Sequence, residues 1–274
     1  MSHAPVSNPT LHPSHDVDTA RRLALRTTLS ALGAVAVGLV GCATTPASPG
    51  DDDAATLARS DWARASLLAP DGVWEHHVFP QRRPTRYTAG RHQGRAALHA
   101  DSDAGTSAVR MRLRVPAAEL GTLRWSWWVD ALDERYDPRQ RDSDDAVVRV
   151  ILTFEGGREH WSARDHSLSE LARLVTGEPL PDATLMYLWD ARLPVGTVIE
   201  HPATVRIRKL VVCSGPADLG RWVDLERNVL ADMAHCFGET PLALTGVGLM
   251  TDANNTGTQA RAWYGPLALT RRRS

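Results

Sequence analysis

Residues 109–115 read Val-Arg-Met-Arg-Leu-Arg-Val, with four apolar side chains alternating with three arginines. Successive side chains of a β-strand point to opposite faces, so this period of two describes a half-buried strand with one cationic face. Working outward, Leu123, Trp125, Trp127 and Val129 repeat the alternation after a turn-rich stretch at 116–121. The same period runs through residues 146–154, 184–189, 204–212, 242–250 and 259–269. Strands in this number, separated by Gly, Pro and Asp turns, predict an all-β-dominated chain folded as an antiparallel β-sandwich. Two short helices are expected as insertions. Ser167 and Glu170 have the spacing of a capping box opening a helix over 168–175, with Gly177 as its stop. Leu225, Val229 and Met233 form a stripe on a helix over 224–236 ended by Gly238.

Composition narrows the function. The 274 residues carry 31 basic and 32 acidic side chains, a formal net charge of -1. A chain so balanced lacks the basic excess that displaces counterions from nucleic acid, so DNA and RNA are not expected partners. Tryptophan is over-used, with nine Trp against three Phe and four Tyr. No Cys-x-x-Cys or His-x-x-x-His spacing offers a zinc site.

The N-terminal region points to the compartment. Arg21, Arg22 and Arg26 precede an apolar run from Leu29 to Val40, too short to span a bilayer and arranged like a secretory signal. The run closes on Leu39-Val40-Gly41-Cys42, which resembles a bacterial lipobox. That resemblance implies a signal peptide over 1–41, lipidation at Cys42, and a protein held by acyl chains rather than spanning the membrane. With Ala43 after the cysteine, the expected address is the periplasmic face of the outer membrane of a Gram-negative bacterium. Residues 42–59 have the composition of a flexible tether, and residues 60–274 are expected to form a single sandwich domain.

Four segments carry candidate chemistry. His76 and His77 are adjacent, hence on opposite faces of a strand and poorly placed to share one metal. Asp142, Asp144 and Asp145 crowd three carboxylates before a strand, to be neutralised by Arg135, Arg139 or Arg141 or by calcium. Asp252, Asn254 and Asn255 lie in an oxygen-rich turn that suits a cation, sugar hydroxyls or simply a tight hairpin. Trp128 and Trp263 alternate against core positions and so face outward, where an indole can support the C–H face of a sugar ring. Together Trp128, Asp144, Asp145, Asp252, Asn254, Asn255 and Trp263 are the candidate ligand-binding set; calcium is considered at Asp144, Asp145 and Asp252, and no other cofactor is expected. Cys213 and Cys236 either form a disulfide, if their Cα atoms lie within about 7 Å, or are two separate buried thiols.

No Gly-x-Ser-x-Gly elbow, phosphate-cradling P-loop or His-Glu-x-x-His occurs, so no catalytic group can be nominated. With these segments in hand, the chain is similar to a bacterial family catalogued as domain of unknown function 3047. The likeness rests on residues 74–86, Leu123-Arg124-Trp125-Ser126-Trp127, Asp144-Asp145-Ala146, residues 181–189, Arg206-Ile207-Arg208-Lys209, residues 220–228, residues 249–257 and Ala262-Trp263-Tyr264-Gly265. Gln81, Asn254, Cys213 and Cys236 depart from its pattern. The family implies no activity. The final strand pair is also similar to that of galactose-binding-like jelly-roll modules, an analogy of fold that does not fix function. The expectation is noncatalytic binding of a glycan or another envelope component, glycan or protein. The alternatives are a hydrolase of glycans or phosphodiesters using Asp144, Asp145 or Asp252 as acid, base or metal ligand, and a scaffolding lipoprotein.

Overall fold

The computed structural model describes residues 56–272; Cys42 and the signal-like run lie outside them. The chain is a β-sandwich of the jelly-roll type. Its strands are β1 (Trp74–Val78), β2 (Arg86–His92), β3 (Arg95–Asp103), β4 (Thr106–Pro116), β5 (Leu120–Val129), β6 (Arg149–Glu155), β7 (Ala183–Asp190), β8 (Val198–His201), β9 (Thr204–Ser214), β10 (Val223–Asn228), β11 (Ala243–Asp252), β12 (Gln259–Tyr264) and β13 (Ala268–Arg271). One seven-stranded sheet runs β1-β4-β11-β6-β7-β9-β8 and a second runs β10-β5-β12-β3-β2, with β13 added to β5. Pairing is antiparallel except between β7 and β9, which are parallel because the β8–β9 hairpin returns with β9 against β7 and β8 outside it.

The founding alternation is kept. Val109, Met111 and Val115 of β4 are buried, while Arg110, Arg112 and Arg114 line the outer face of the seven-stranded sheet. On β5, Leu123, Trp125, Trp127 and Val129 point into the shared core. There Trp125 stacks on Tyr187 at 5.2 Å and Trp127 lies 6.4 Å from Trp189. Trp62, on the short helix α1 (Asp61–Ala65), packs 4.8 Å from Trp74. Such aromatic pairs add about 0.5–1.5 kcal/mol each beyond area burial. The tryptophan surplus is thus largely a core-filling device.

Both inserted helices form, with corrected boundaries. The first, α2 (Ala163–Thr176), begins a turn earlier than expected, because Ser162 and Asp165 make the capping box. Ser167 instead returns its hydroxyl to the Ala163 carbonyl inside the helix. The second, α3 (Val229–Phe237), is capped by Asn228. Residues 224–228, read as its first turn, belong to β10: Asp224 and Glu226 are exposed while Val223 and Leu225 are half-buried, a period of two. Cys213 and Cys236 are two separate buried thiols, the second of the two alternatives. Burial pushes their pKa values up to about 11 and about 12.

Candidate functional site

The two acidic segments meet. The β5–β6 connection carries Asp144 and Asp145 to the β11–β12 turn that carries Asn254 and Asn255. Asp145 caps that turn: one oxygen accepts from the Asn255 backbone and carboxamide at 3.1 and 2.9 Å, the other from the Thr256 hydroxyl at 2.7 Å. The link between the loops is Arg149 at the start of β6. Its guanidinium donates to Asp252 Oδ2 at 3.1 Å, to Asp144 Oδ1 at 2.8 Å and to the Asp144 carbonyl at 2.7 Å. Lys209 completes the set, its ammonium bonded to Asp144 Oδ2 and the Pro138 carbonyl.

These contacts correct the expected neutralisation. Arg149 and Lys209, which project from the strands of the sheet, are the counter-charges, whereas Arg135 and Arg139 pair with Asp133 and Asp137. The oxygens of Asp144 and Asp145 and those of Asp252 already accept hydrogen bonds, and among the described residues no three His, Cys, Asp or Glu side chains are grouped to hold a metal ion. Burial lowers the pKa of Lys209. Burial also lifts Asp252 to about 6, outweighing the pull of Arg149, and the neighbouring Asp145 pushes in the same direction.

Trp128 and Trp263 are direct cross-strand partners on the outer face of the six-stranded sheet. Side chains two residues apart on a strand share a face, so the register defines two adjoining rows. The first runs Trp128, Trp263, His99, Thr88, with Trp222 beyond its Trp128 end. The second runs Arg261, Asp101, Arg86. The indoles are half-buried rather than bare: the β2–β3 hairpin brings His92 to stack on Trp263 at 4.0 Å, edge-on to Trp128 at 4.6 Å. The Trp222 indole nitrogen donates to the His92 carbonyl at 3.3 Å, and Arg95 lies 5.3 Å above the Trp222 ring.

A cavity of about 350 Å³ joins the acidic loops to this face, with Asp130, Asp133, Asp145, Asp252, Gln259 and Arg261 in its lining. Two of its lining residues adjoin the aromatic row. Asp130 accepts the Trp128 indole N–H at 2.7 Å, and Arg261 sits two residues before Trp263 on the same face of β12. The structure therefore brings Asp145 and Asp252 into one cavity and places Trp128 and Trp263 beside it. Asp144 is turned beneath the loop toward Lys209, and Asn255 is committed to Asp145. Asp130, Asp133, Arg261, His92 and Trp222 were missed by sequence reasoning. Arg261 was accessible through the period of two that puts it on the same face as Trp263; His92 and Trp222 come together only through the folding of the hairpin.

A second concavity, a groove of about 440 Å³, crosses the outer face of the seven-stranded sheet. Gly246 and Gly248 of β11 leave its floor open between Arg110 of β4 and Ile151 of β6. Its charges are satisfied internally: Arg110 makes a two-bond clasp to Glu178 at 2.8 and 2.7 Å, and Arg112 pairs with the same carboxylate. The Arg110 hydrogen bonds hold Glu178 at about 2, and burial with Arg110 nearby lowers His77. His77 faces this groove while His76 turns inward to the Ser107 hydroxyl at 2.9 Å, the opposition expected of neighbouring strand residues.

Fold and site together define a jelly-roll β-sandwich with a polar cavity opening beside an aromatic row. The chain belongs to the family described as "Protein of unknown function (DUF3047)", matched over residues 72–268. No curated protein matches it in sequence. Among solved structures, the xyloglucanase domain of NopAA, a type three effector from Sinorhizobium fredii, is similar at 10% identity and TM-score 0.41, covering 76% of this chain and 97% of that one. A family 12 glycoside hydrolase is similar at 9% identity and TM-score 0.39, covering 76% and 96%. A family 29 carbohydrate-binding module crystallised with mannohexaose is similar at 11% identity and TM-score 0.28, covering 73% and 92%. Likenesses this distant transfer no binding or catalytic property to the chain.

Proposed function

We propose that the protein binds a glycan without transforming it, on the outer face of the six-stranded sheet. The observation that carries this reading is the adjacency of the polar cavity to the indole row, through Asp130 and Arg261. Asp130, Gln259 and Arg261 offer acceptors and donors to sugar hydroxyls, while the adjoining Trp128 and Trp263 offer apolar surface to ring C–H groups. The carboxyl chemistry favours binding over hydrolysis. Asp252, the one cavity carboxyl lifted to about 6, is buried with its oxygens held by Arg149 and the Asn254 N–H. Asp133 is kept below its usual range, Arg135 hydrogen bonds outweighing burial. A glycosidase needs a reachable protonated acid opposite a free carboxylate, an arrangement these partners oppose.

Membrane attachment through Cys42 completes the proposal; it rests on the Leu39-Val40-Gly41-Cys42 motif and places the glycan in the cell envelope. Glycan-array screening followed by calorimetry tests the binding. Retention of an oligosaccharide, weakened about tenfold by Trp263→Ala or by the exposed Asp130→Ala, is expected. No retained glycan, or both variants binding like the parent, would overturn the reading. Labelled palmitate should enter the chain and be lost in Cys42→Ala; labelling that survives the change contradicts the anchor.

A further inference from the structure

We infer that the bound glycan is acidic, and that a second cavity on the same face recognises its carboxylate or phosphate group; this deepens the glycan-binding reading and rests on it. The cavity, of about 270 Å³, shares Gln259 and Arg261 with the first and adds Arg83, Arg86, Asp101 and Asp103. A ligand that fills the first cavity therefore meets the second across the Arg261 side chain.

The charge balance of this second cavity is uneven. Arg83 is paired with Asp103 at 2.8 Å, and Arg261 reaches Asp101 only at 3.9 Å. Arg86 stands directly opposite Asp101 in the strand register, yet among the described residues no ion pair or hydrogen bond of its side chain is formed. Arg82, one residue before Arg83, lies outside this lining. It meets the Asn254 carboxamide oxygen at 3.0 Å in the amide orientation that satisfies both groups, which is a neutral partner. Three guanidiniums thus face two carboxylates, and one of them, Arg86, lies uncommitted in the cavity lining. Guanidinium forks match carboxylate and phosphate oxygens in pairs, and such charge-assisted bonds are about twice as strong as neutral ones. Neutral sugars leave that capacity unused.

The arginines are also presented from fixed backbone. The Arg83 carbonyl accepts from Thr106 N–H at 2.7 Å, and the Arg82 N–H donates to the Phe79 carbonyl at 3.2 Å. Thr85 is tied to the Ser107 hydroxyl through its N–H at 3.0 Å and to the Thr251 carbonyl through its own hydroxyl at 2.8 Å. At Gly105 an added Cβ would meet the Arg83 carbonyl oxygen at 2.8 Å, so glycine there is what lets the arginine segment lie flat against the β3–β4 turn. A rigid display of this kind reduces the ordering cost of binding an anion.

The test is calorimetric titration of the full chain with three ligands of similar length: a neutral oligosaccharide, a uronate oligosaccharide and a phosphorylated one. Acetate and inorganic phosphate serve as anion-only probes, and each titration is run at about 50 mM and about 300 mM salt. An acidic glycan should bind about tenfold tighter than the neutral one at low salt. Arg86→Ala should erase that preference while leaving neutral-glycan affinity unchanged, and the uronate and phosphate arms identify which group is read. Equal affinity for neutral and acidic glycans, or a preference that survives Arg86→Ala, would overturn this inference while leaving the glycan reading intact. Anions binding as well as any glycan, with Trp263→Ala without effect, would overturn both.

Discussion

Replacing Arg149 by Met isolates the junction on which the acidic loops depend. The Arg149 side chain is 4% exposed and makes three charge-assisted hydrogen bonds, two to Asp144 and one to Asp252. Asp144 retains Lys209, but Asp252 is left with the Asn254 N–H beside a second carboxylate. Removing one partner of such a buried set costs about 3–5 kcal/mol. The pH dependence then identifies the group responsible. In the parent, Asp252 titrates at about 6 instead of the usual 3.8. Because the folded-state value is the higher one, its contribution is complete below the unfolded value and is lost as the pH rises through about 6. Without Arg149 the carboxyl loses its attractive partner and titrates higher still. The parent stops losing stability above about 6 while the variant continues to lose about 1.4 kcal/mol per pH unit, so its deficit should be about 2 kcal/mol larger at pH ~7.5 than at pH ~6. Urea unfolding followed by tryptophan fluorescence measures both values, and adding Asp252→Asn should remove the pH-dependent part. A deficit that is the same at both pH values, or smaller than about 1 kcal/mol, would refute the account of Arg149 as counter-charge to Asp252.

Other consequences are open to direct measurement. Gly121→Ala should destabilise the sandwich by about 1–3 kcal/mol, because the new Cβ would lie 2.2 Å from the Thr270 carbonyl oxygen, where β13 closes on β5. Gly90→Ala, with nothing within 4 Å, is the control and should stay within about 0.5 kcal/mol; equal denaturation midpoints for the two would contradict the packing. Cys213 and Cys236 should resist a thiol reagent in the native protein and both react once it is unfolded without reductant; no reaction on unfolding would mean that they are bridged. Glu178→Gln should cost no more than about 1 kcal/mol, since its partners are partly solvated. That cost should vanish in acid, because a carboxylate held at about 2 stabilises above its usual 4.5 and loses the effect as the pH falls through about 2.

Where one face of a strand is buried and the other wet, the period of two was written in the residues, as in β4 and β5, and the orientation of Trp128 against Trp127 followed from it. Strand β10 hid because Leu225, Val229 and Met233 mimic a helical stripe across a true strand-to-helix junction at Asn228. Strands β2 and β3 hid for a different reason: Gly90, Ala96 and Ala97 interrupt any hydrophobic signal, and Ala97 is buried on the outer side, not in the core. The acidic residues of the site could be picked out, but not their counter-charges. Arg149 and Lys209 sit at strand positions that ordinarily face solvent, and only the fold of residues 130–148 over the sheet buries them. Long-range placement of this kind has no local periodicity to announce it.

The strand order gives the C-terminal segment a particular hold over the whole molecule. β4 and β6 are neighbours only through β11, and β5 and β3 only through β12. Before those two strands arrive, the chain holds four unconnected ladders: β1-β4, β6-β7-β9-β8, β10-β5 and β3-β2. The keystones of both sheets are therefore made after all the strands they join, and contacts of such large sequence separation are slow to form. A nascent chain ending before residue 243 lacks the strand that joins the ladders of each layer, so assembly of the native core waits for β11 and β12.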